Sequence, residues 1–219
     1  TLVILLTQKK MLAALSELEW AVIDEVHELL ASERGSQLSL SLERLQLNSN
    51  QKITRAGLSA TVGNIEEAGQ FLVGTNRSCK IIQDKSIRKY DVEVKFVKGS
   101  ISEVADSIIE YVEKSDINSP ILLFTNTRGE SEFLASILKE KTLMNIELHH
   151  GSLSRQVREE TESILRSGAS GIVVCTSSLE LGLDIGSVEL VIHYGSPRQV
   201  SKLMQRIGRS RHFKNSSAK

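Results

Sequence analysis

Trp20-Ala-Val-Ile-Asp-Glu-Val-His27 reads as an apolar strand that ends on two adjacent carboxylates. In open α/β sheets, ligands bind outside the carboxyl ends of the strands. A carboxylate at that spot can hold Mg²⁺ through water while its neighbour orients an attacking water. An acidic turn between a strand and a helix is the other reading of the same residues. A zinc-protease reading of His27-Glu28 fails, because Ala31 stands where the second His is required.

Outward from this stretch, short apolar or β-branched runs alternate with amphipathic ones. Strands are expected at 2–6, 21–24, 53–58, 79–82, 92–97, 121–125, 146–149, 171–175 and 190–194. Helices are expected at 10–15, 35–47, 65–72, 101–114, 128–139, 153–166, 179–183 and 199–206. Apolar strands separated by helices imply an α/β fold, with parallel sheets covered by helices. The polar stretch 84–89 precedes a fresh strand, so the chain divides into residues 1–84 and 85–219. The first piece has room for about three strands, short of a full α/β domain, and the second for five or six.

The 219 residues carry 27 basic and 27 acidic side chains, so bulk charge points to no partner. Its distribution does. From Arg198 to Lys219 there are seven basic residues and no acid. Such a cluster can hold phosphates, or it can be a solvated tail. Cys79 and Cys175 show no metal-type pairing. That fits a reducing intracellular compartment, and the expected location is cytoplasmic. No apolar run is long enough to span a bilayer, so no membrane partner is expected.

Four further motifs follow strands. Ser59-Ala-Thr61 places two hydroxyls around a small residue, able to bridge loops or to cap a helix. Leu122-Leu-Phe-Thr-Asn-Thr127 ends a strand in hydrogen-bonding side chains, and His149-His-Gly-Ser152 ends another. Adjacent His residues without Cys or carboxylate partners are more often structural than metal ligands. Thr176-Ser-Ser-Leu-Glu-Leu-Gly-Leu-Asp184 offers hydroxyls and a helix N-terminus to a phosphate. Finally, Gln205-Arg-Ile-Gly-Arg-Ser-Arg211 carries three arginines. Their planar donor forks match phosphate oxygens, and one of them can act as a finger on a transferring phosphoryl group.

This order of motifs resembles superfamily 2 DExH-type helicases. Asp24-Glu-Val-His-Glu-Leu-Leu30, Arg34-Gly-Ser-Gln37, Leu58-Ser-Ala-Thr61 and Ser178-Leu-Glu-Leu-Gly-Leu-Asp-Ile-Gly186 look most like the Lhr, or large helicase-related, branch. The resemblance covers essentially the whole chain and implies RecA-like doubly wound sheets, a partial first domain and a fuller second one. It implies ATP and Mg²⁺ as cofactors, with the ATP lying between the two domains. The implied partner is single-stranded or partly duplex nucleic acid, DNA ahead of RNA, together with the remainder of a parent polypeptide.

The resemblance also assigns roles. Asp24 would hold Mg²⁺ through water and Glu25 would polarise the hydrolytic water. His27, Ser59 and Thr61 would couple the ATP site to the track. Thr125, Asn126, Thr127, Gly151 and Thr176 would sit near the nucleic-acid backbone. Gly182 and Asp184 would lie near the ribose. Gln205, Arg206 and Arg209 would reach the triphosphate, with Arg209 as the finger.

Two departures stand out. His212 occupies the position of the motif's final Arg, and Arg211 is displaced by one residue. None of the fourteen glycines is followed by Lys, so the P-loop pattern Gly-x-x-x-x-Gly-Lys-Ser/Thr is absent from these residues. A non-catalytic nucleic-acid-binding module that kept the fold is therefore the competing reading. An unrelated phosphate-binding α/β protein would not explain the ordered motif set.

Overall fold

The structure is a computed structural model that describes residues 2–30, 32–59, 64–83, 91–180 and 188–210. The chain falls into two compact units, residues 1–85 and 86–219.

In the first unit, β1 (Trp20–Ile23) and β2 (Thr54–Gly57) pair in parallel, with Ile23 opposite Gly57. Three helices precede or join them: α1 (Leu2–Leu5), α2 (Lys9–Leu15) and α3 (Glu33–Asn48). A fourth, α4 (Ile65–Val73), follows β2. Ser32 caps α3 by accepting from the Gly35 amide. A Cβ at Gly35 would lie 1.9 Å from the Leu29 carbonyl oxygen, so only glycine fits this helix start. Ile23 and Val26 pack with Leu42, Ala68 and Leu72 from α3 and α4. Leu6, Leu45 and Ile53 form a second cluster beside it. The opposite face of β1 is bare: Trp20 is 59% exposed and Val22 63%. Among the described residues this sheet has two strands, so each strand leaves one edge unpaired.

The second unit opens on α5 (Ile101–Lys114) and β3 (Pro120–Phe124), followed by α6 (Arg128–Lys141) and β4 (Ile146–His149). Then come α7 (Arg155–Ser167), β5 (Gly171–Cys175), β6 (Leu190–His193) and α8 (Val200–Ile207). The strands form one parallel sheet in the order β4-β5-β3-β6. Strand side chains alternate between faces. Ile121 and Leu123 pack with Ala105, Ile108, Leu134 and Leu138 of α5 and α6. Leu122 and Phe124 pack with Leu165 of α7 and Leu179. Both faces are covered, which makes this unit a doubly wound α/β sheet. Each such fully buried side chain contributes about 1.5–3 kcal/mol.

Three expected strands are not strands. Residues 2–5 form the helical turn α1. Leu6 is buried there while Val3 and Ile4 are 42% and 61% exposed, so the run is covered on one side only. Residues 79–82 and 92–97 carry no strand pairing, and Ile82, Val94 and Phe96 are each more than 80% exposed. Apolar alternation makes a segment fit for a sheet, but a strand also needs a partner edge. The second sheet consequently has four strands among the described residues, fewer than expected. Of the expected helix 179–183, the structure shows a 3-10 turn at Ser177–Leu179, and residues 181–183 lie outside the described ones.

Candidate functional site: carboxylate turn and sheet edge

In the first unit, β1 delivers Asp24 and Glu25 to its carboxyl end. Asp24 is exposed, and its Oδ1 accepts from the Glu25 amide at 2.9 Å. Glu25 adopts φ 49°, ψ 47°, a left-handed conformation uncommon for a residue with a side chain. Backbone bonds beyond the paired strands hold the turn: Leu58 N to Ile23 O at 2.9 Å and Val26 N to Leu58 O at 3.1 Å. Gly57 makes room for it, since a Cβ there would meet Val26 Cγ2 at 2.9 Å and Leu72 Cδ2 at 3.0 Å.

His27 then turns back toward the same strand end. Its Nδ1 lies 2.6 Å from Ser59 Oγ and 3.4 Å from Glu25 Oε2, and its Nε2 lies 3.4 Å from Glu28 Oε1. The structure thus brings Asp24, Glu25, His27 and Ser59 together. Thr61 lies outside the described residues. Among the described residues, no group of three or more His, Cys, Asp or Glu is placed to hold a metal ion. An exposed Asp24 still suits Mg²⁺, which keeps most of its waters and takes one or two carboxylates.

In the second unit, the strands are parallel, so the loops after β3, β4 and β5 emerge at one edge of the sheet. Those loops carry Thr125 to Thr127, Gly151 and Thr176. Thr125 itself is buried, its amide donating to Cys175 O at 2.8 Å and its hydroxyl lying 3.1 Å from Thr127 O. Its hydroxyl is spent inside the loop rather than presented at the surface. Asn126 Nδ2 donates to Ser196 O at 3.0 Å, tying the loop after β3 to the one after β6. Thr127 caps α6 in a capping box with Glu130. Gly151 is exposed, and a Cβ added there would meet nothing within 4 Å.

His149 knits the loops after β4 and β5. Its Nδ1 lies 2.8 Å from Ser178 Oγ, its Nε2 lies 3.3 Å from Glu162 Oε1, and its carbonyl accepts from Thr176 N at 3.3 Å. Burial holds the imidazole below its ordinary pKa, against the opposing pull of Glu162. Burial also pushes the Cys175 thiol up, so it stays protonated and inert.

The arginine motif is anchored within the second unit. Arg206 is 3% exposed. Its Nε donates to Glu180 Oε1 at 2.7 Å, and its guanidinium lies 4.9 Å from the Phe124 ring centroid. Its guanidinium is thus engaged by side chains of its own unit. Arg209 is partly exposed and donates to the Glu180 carbonyl through Nε (3.1 Å) and Nη2 (2.6 Å). Gln205 is buried. Gly182 and Asp184 lie outside the described residues. Sequence reasoning missed Glu180, Glu162, Ser178 and His193. Glu180 and Ser178 lay inside a quoted motif, whereas nothing in the sequence marked Glu162 or His193.

Residues 1–68 match the family model "DEAD/DEAH box helicase", and residues 103–214 match "Helicase conserved C-terminal domain". The chain is 40% identical over 97% of its length to the ATP-dependent helicase Lhr-Core of Methanocaldococcus jannaschii, of which it covers 26%. It is 40% identical over 98% of its length to the Lhr-Core of Saccharolobus solfataricus, again covering 26%. The chain therefore spans about a quarter of the length of these curated relatives. Among solved structures, Mycobacterium smegmatis helicase Lhr bound to ssDNA and AMP-PNP aligns with TM-score 0.79 at 35% identity, over 95% of this chain and 29% of that one. No helix among the described residues is long and apolar enough to cross a membrane. The two units thus carry the RecA-like α/β fold, and the chain belongs to the superfamily 2 helicases, in their Lhr-like branch.

Proposed function

We propose that these residues work within a longer ATP-dependent helicase or translocase that moves along, or unwinds, DNA in preference to RNA. The observation that carries this reading is the shared edge on which Thr127, Gly151 and Thr176 emerge. Three loops on one edge can touch one strand of nucleic acid. The M. smegmatis Lhr structure, bound to ssDNA, supports DNA as the track. Backbone phosphates are the natural target, because a motor must bind at every step whatever the bases.

Residues 1–84 are the part of the first domain that supplies the carboxylate turn, and residues 85–219 are the second domain. When bound, Mg²⁺ neutralises charge on the β- and γ-phosphates. Asp24 is the residue that would hold it through water. Glu25, fixed by its left-handed turn, orients the attacking water. By the resemblance, His27, Ser59 and Thr61 are assigned to coupling the ATP site to the nucleic-acid track. Arg209 meets charge developing on the phosphoryl group; by the resemblance, Gly182 and Asp184 are assigned to the ribose and Gln205 to the triphosphate. Arg206 supports them from inside.

Hydrolysis also needs the phosphates cradled by backbone N–H groups and a Lys. These 219 residues contain no Gly-Lys pair. The chain alone is therefore expected to show no nucleic-acid-stimulated phosphate release. The test compares these residues with a version extended upstream through a Gly-Lys-Ser/Thr loop. Stimulated turnover only in the longer protein supports the reading. No turnover in either, with single-strand binding retained, supports a non-catalytic binding module instead.

A further inference from the structure

The Gln205-to-Arg209 segment is held by a residue outside it. Glu180 ends the 3-10 turn Ser177–Leu179, its amide bonded to Ser177 O at 3.1 Å. Its side chain is 6% exposed. A carboxylate taken that far out of water demands a partner. Arg206 is that partner, placing Nε 2.7 Å and Nη2 2.6 Å from Glu180 Oε1. The rest of the guanidinium is also engaged. Its Nη1 lies 3.4 Å from His193 Nδ1, and its face lies over Phe124. Arg206 thereby joins the ends of β3 and β6 to the turn after β5.

Glu180 holds a second arginine through a different group. Its main-chain carbonyl accepts Nε and Nη2 of Arg209 at 3.1 and 2.6 Å. The side chain of one residue fixes Arg206, and its backbone seats Arg209 three positions later. We propose that Glu180 is a positioning residue that sets the orientation of Arg209, anchoring itself on Arg206 to do so. The proposal rests on the reading of Arg209 as the residue that meets the triphosphate. A long side chain oriented before the nucleotide arrives avoids reorganisation at the moment of reaction.

The test uses the full-length protein with an intact P-loop. Glu180→Gln keeps the shape and removes the charge, and Arg206→Lys weakens the same contact from the other side. Each is expected to lower kcat by about tenfold, with KM for ATP and single-strand affinity within about twofold. In an Arg209→Ala background, Glu180→Gln should lower kcat no further, as expected for residues acting through one another. A crystal structure of Glu180→Gln should show Arg209 released from the carbonyl of residue 180. Additive losses in the double variant, or Arg209 still seated in that structure, would overturn the proposal. If Arg209→Ala leaves turnover intact, the finger reading fails. The Glu180→Gln structure then decides separately whether Glu180 positions Arg209.

Discussion

Arg55 Nη1 donates to Glu43 Oε1 at 2.8 Å, joining β2 to α3. Arg55 is 5% exposed along its side chain, and the same guanidinium donates to the carbonyls of Leu42 (2.9 Å) and Leu72 (3.2 Å). Leu72 lies in the last turn of α4, where carbonyls lack intrahelical partners, and Arg55 supplies one. Arg77 completes the cluster by gripping both carboxylate oxygens of Glu43 at 2.7 Å. The Arg77 hydrogen bond, opposed by burial and helped by Arg55, holds the Glu43 carboxyl below its usual range.

Removing Arg55 leaves the Leu72 carbonyl without that donor and Glu43 with Arg77 alone. Arg55→Ala should cost about 1–3 kcal/mol, the range for leaving a buried polar group without its partner. Urea unfolding followed by the fluorescence of Trp20, the one tryptophan, reports on this unit directly. Arg55→Lys should recover part of the loss. A change below about 1 kcal/mol, the range of an exposed pair, would contradict the role given to Arg55.

Gly151 tests the sheet edge. It is exposed, with open space where a Cβ would stand, so packing does not demand glycine there. If nucleic-acid backbone passes close to it, a side chain will interfere. In the full-length protein, Gly151→Val should leave the melting temperature within about 1–2 °C, and weaken single-stranded DNA binding by about tenfold. Fluorescence anisotropy with a labelled oligonucleotide measures this. Unchanged affinity would remove the loop after β4 from the track.

His193 makes a pH prediction. Burial, then the charge of Arg206, push its pKa from 6.5 down to about 4. The neutral ring offers Nδ1 to Arg206 at 3.4 Å and stacks on Phe124 with centroids 5.7 Å apart. Below the ordinary histidine range, the unfolded chain binds a proton that the folded chain refuses. Stability is therefore full above about pH 6.5 and is lost as pH falls toward 4. His149, lowered mainly by burial, acts in the same direction. Melting temperatures measured from pH 7 to 4.5 should fall, and His193→Asn should flatten part of that slope. An identical slope in the variant would contradict the assignment.

The doubly wound sheet was legible because its signal is physical. Residues 121–124 are apolar on both faces of a strand, and both faces are covered. The edge carrying Thr127, Gly151 and Thr176 followed, since parallel strands send their following loops the same way. What stayed hidden depended on contacts distant in the chain. Val94 and Phe96 alternate like strand residues, yet among the described residues no neighbouring edge accepts them. The residues 2–6 run is apolar throughout, but only Leu2 and Leu6 reach Leu45 and Ile53. Arg206 looks like its neighbour Arg209 in sequence. The fold separates them: Glu180, 26 residues before Arg206, takes Arg206 on its carboxylate and Arg209 on its main-chain carbonyl.

In the function proposed, the carboxylate turn after β1 drives ATP hydrolysis coupled to nucleic acid. Phosphate release by the full-length protein, with an intact P-loop, tests it most directly. Glu25→Gln should lower single-strand-stimulated turnover by a hundredfold or more, in the range of general acid–base losses, while ATP and single-stranded DNA still bind. Turnover within about threefold of the unsubstituted protein would show that Glu25 does not activate the water, and the proposed mechanism would fall with it.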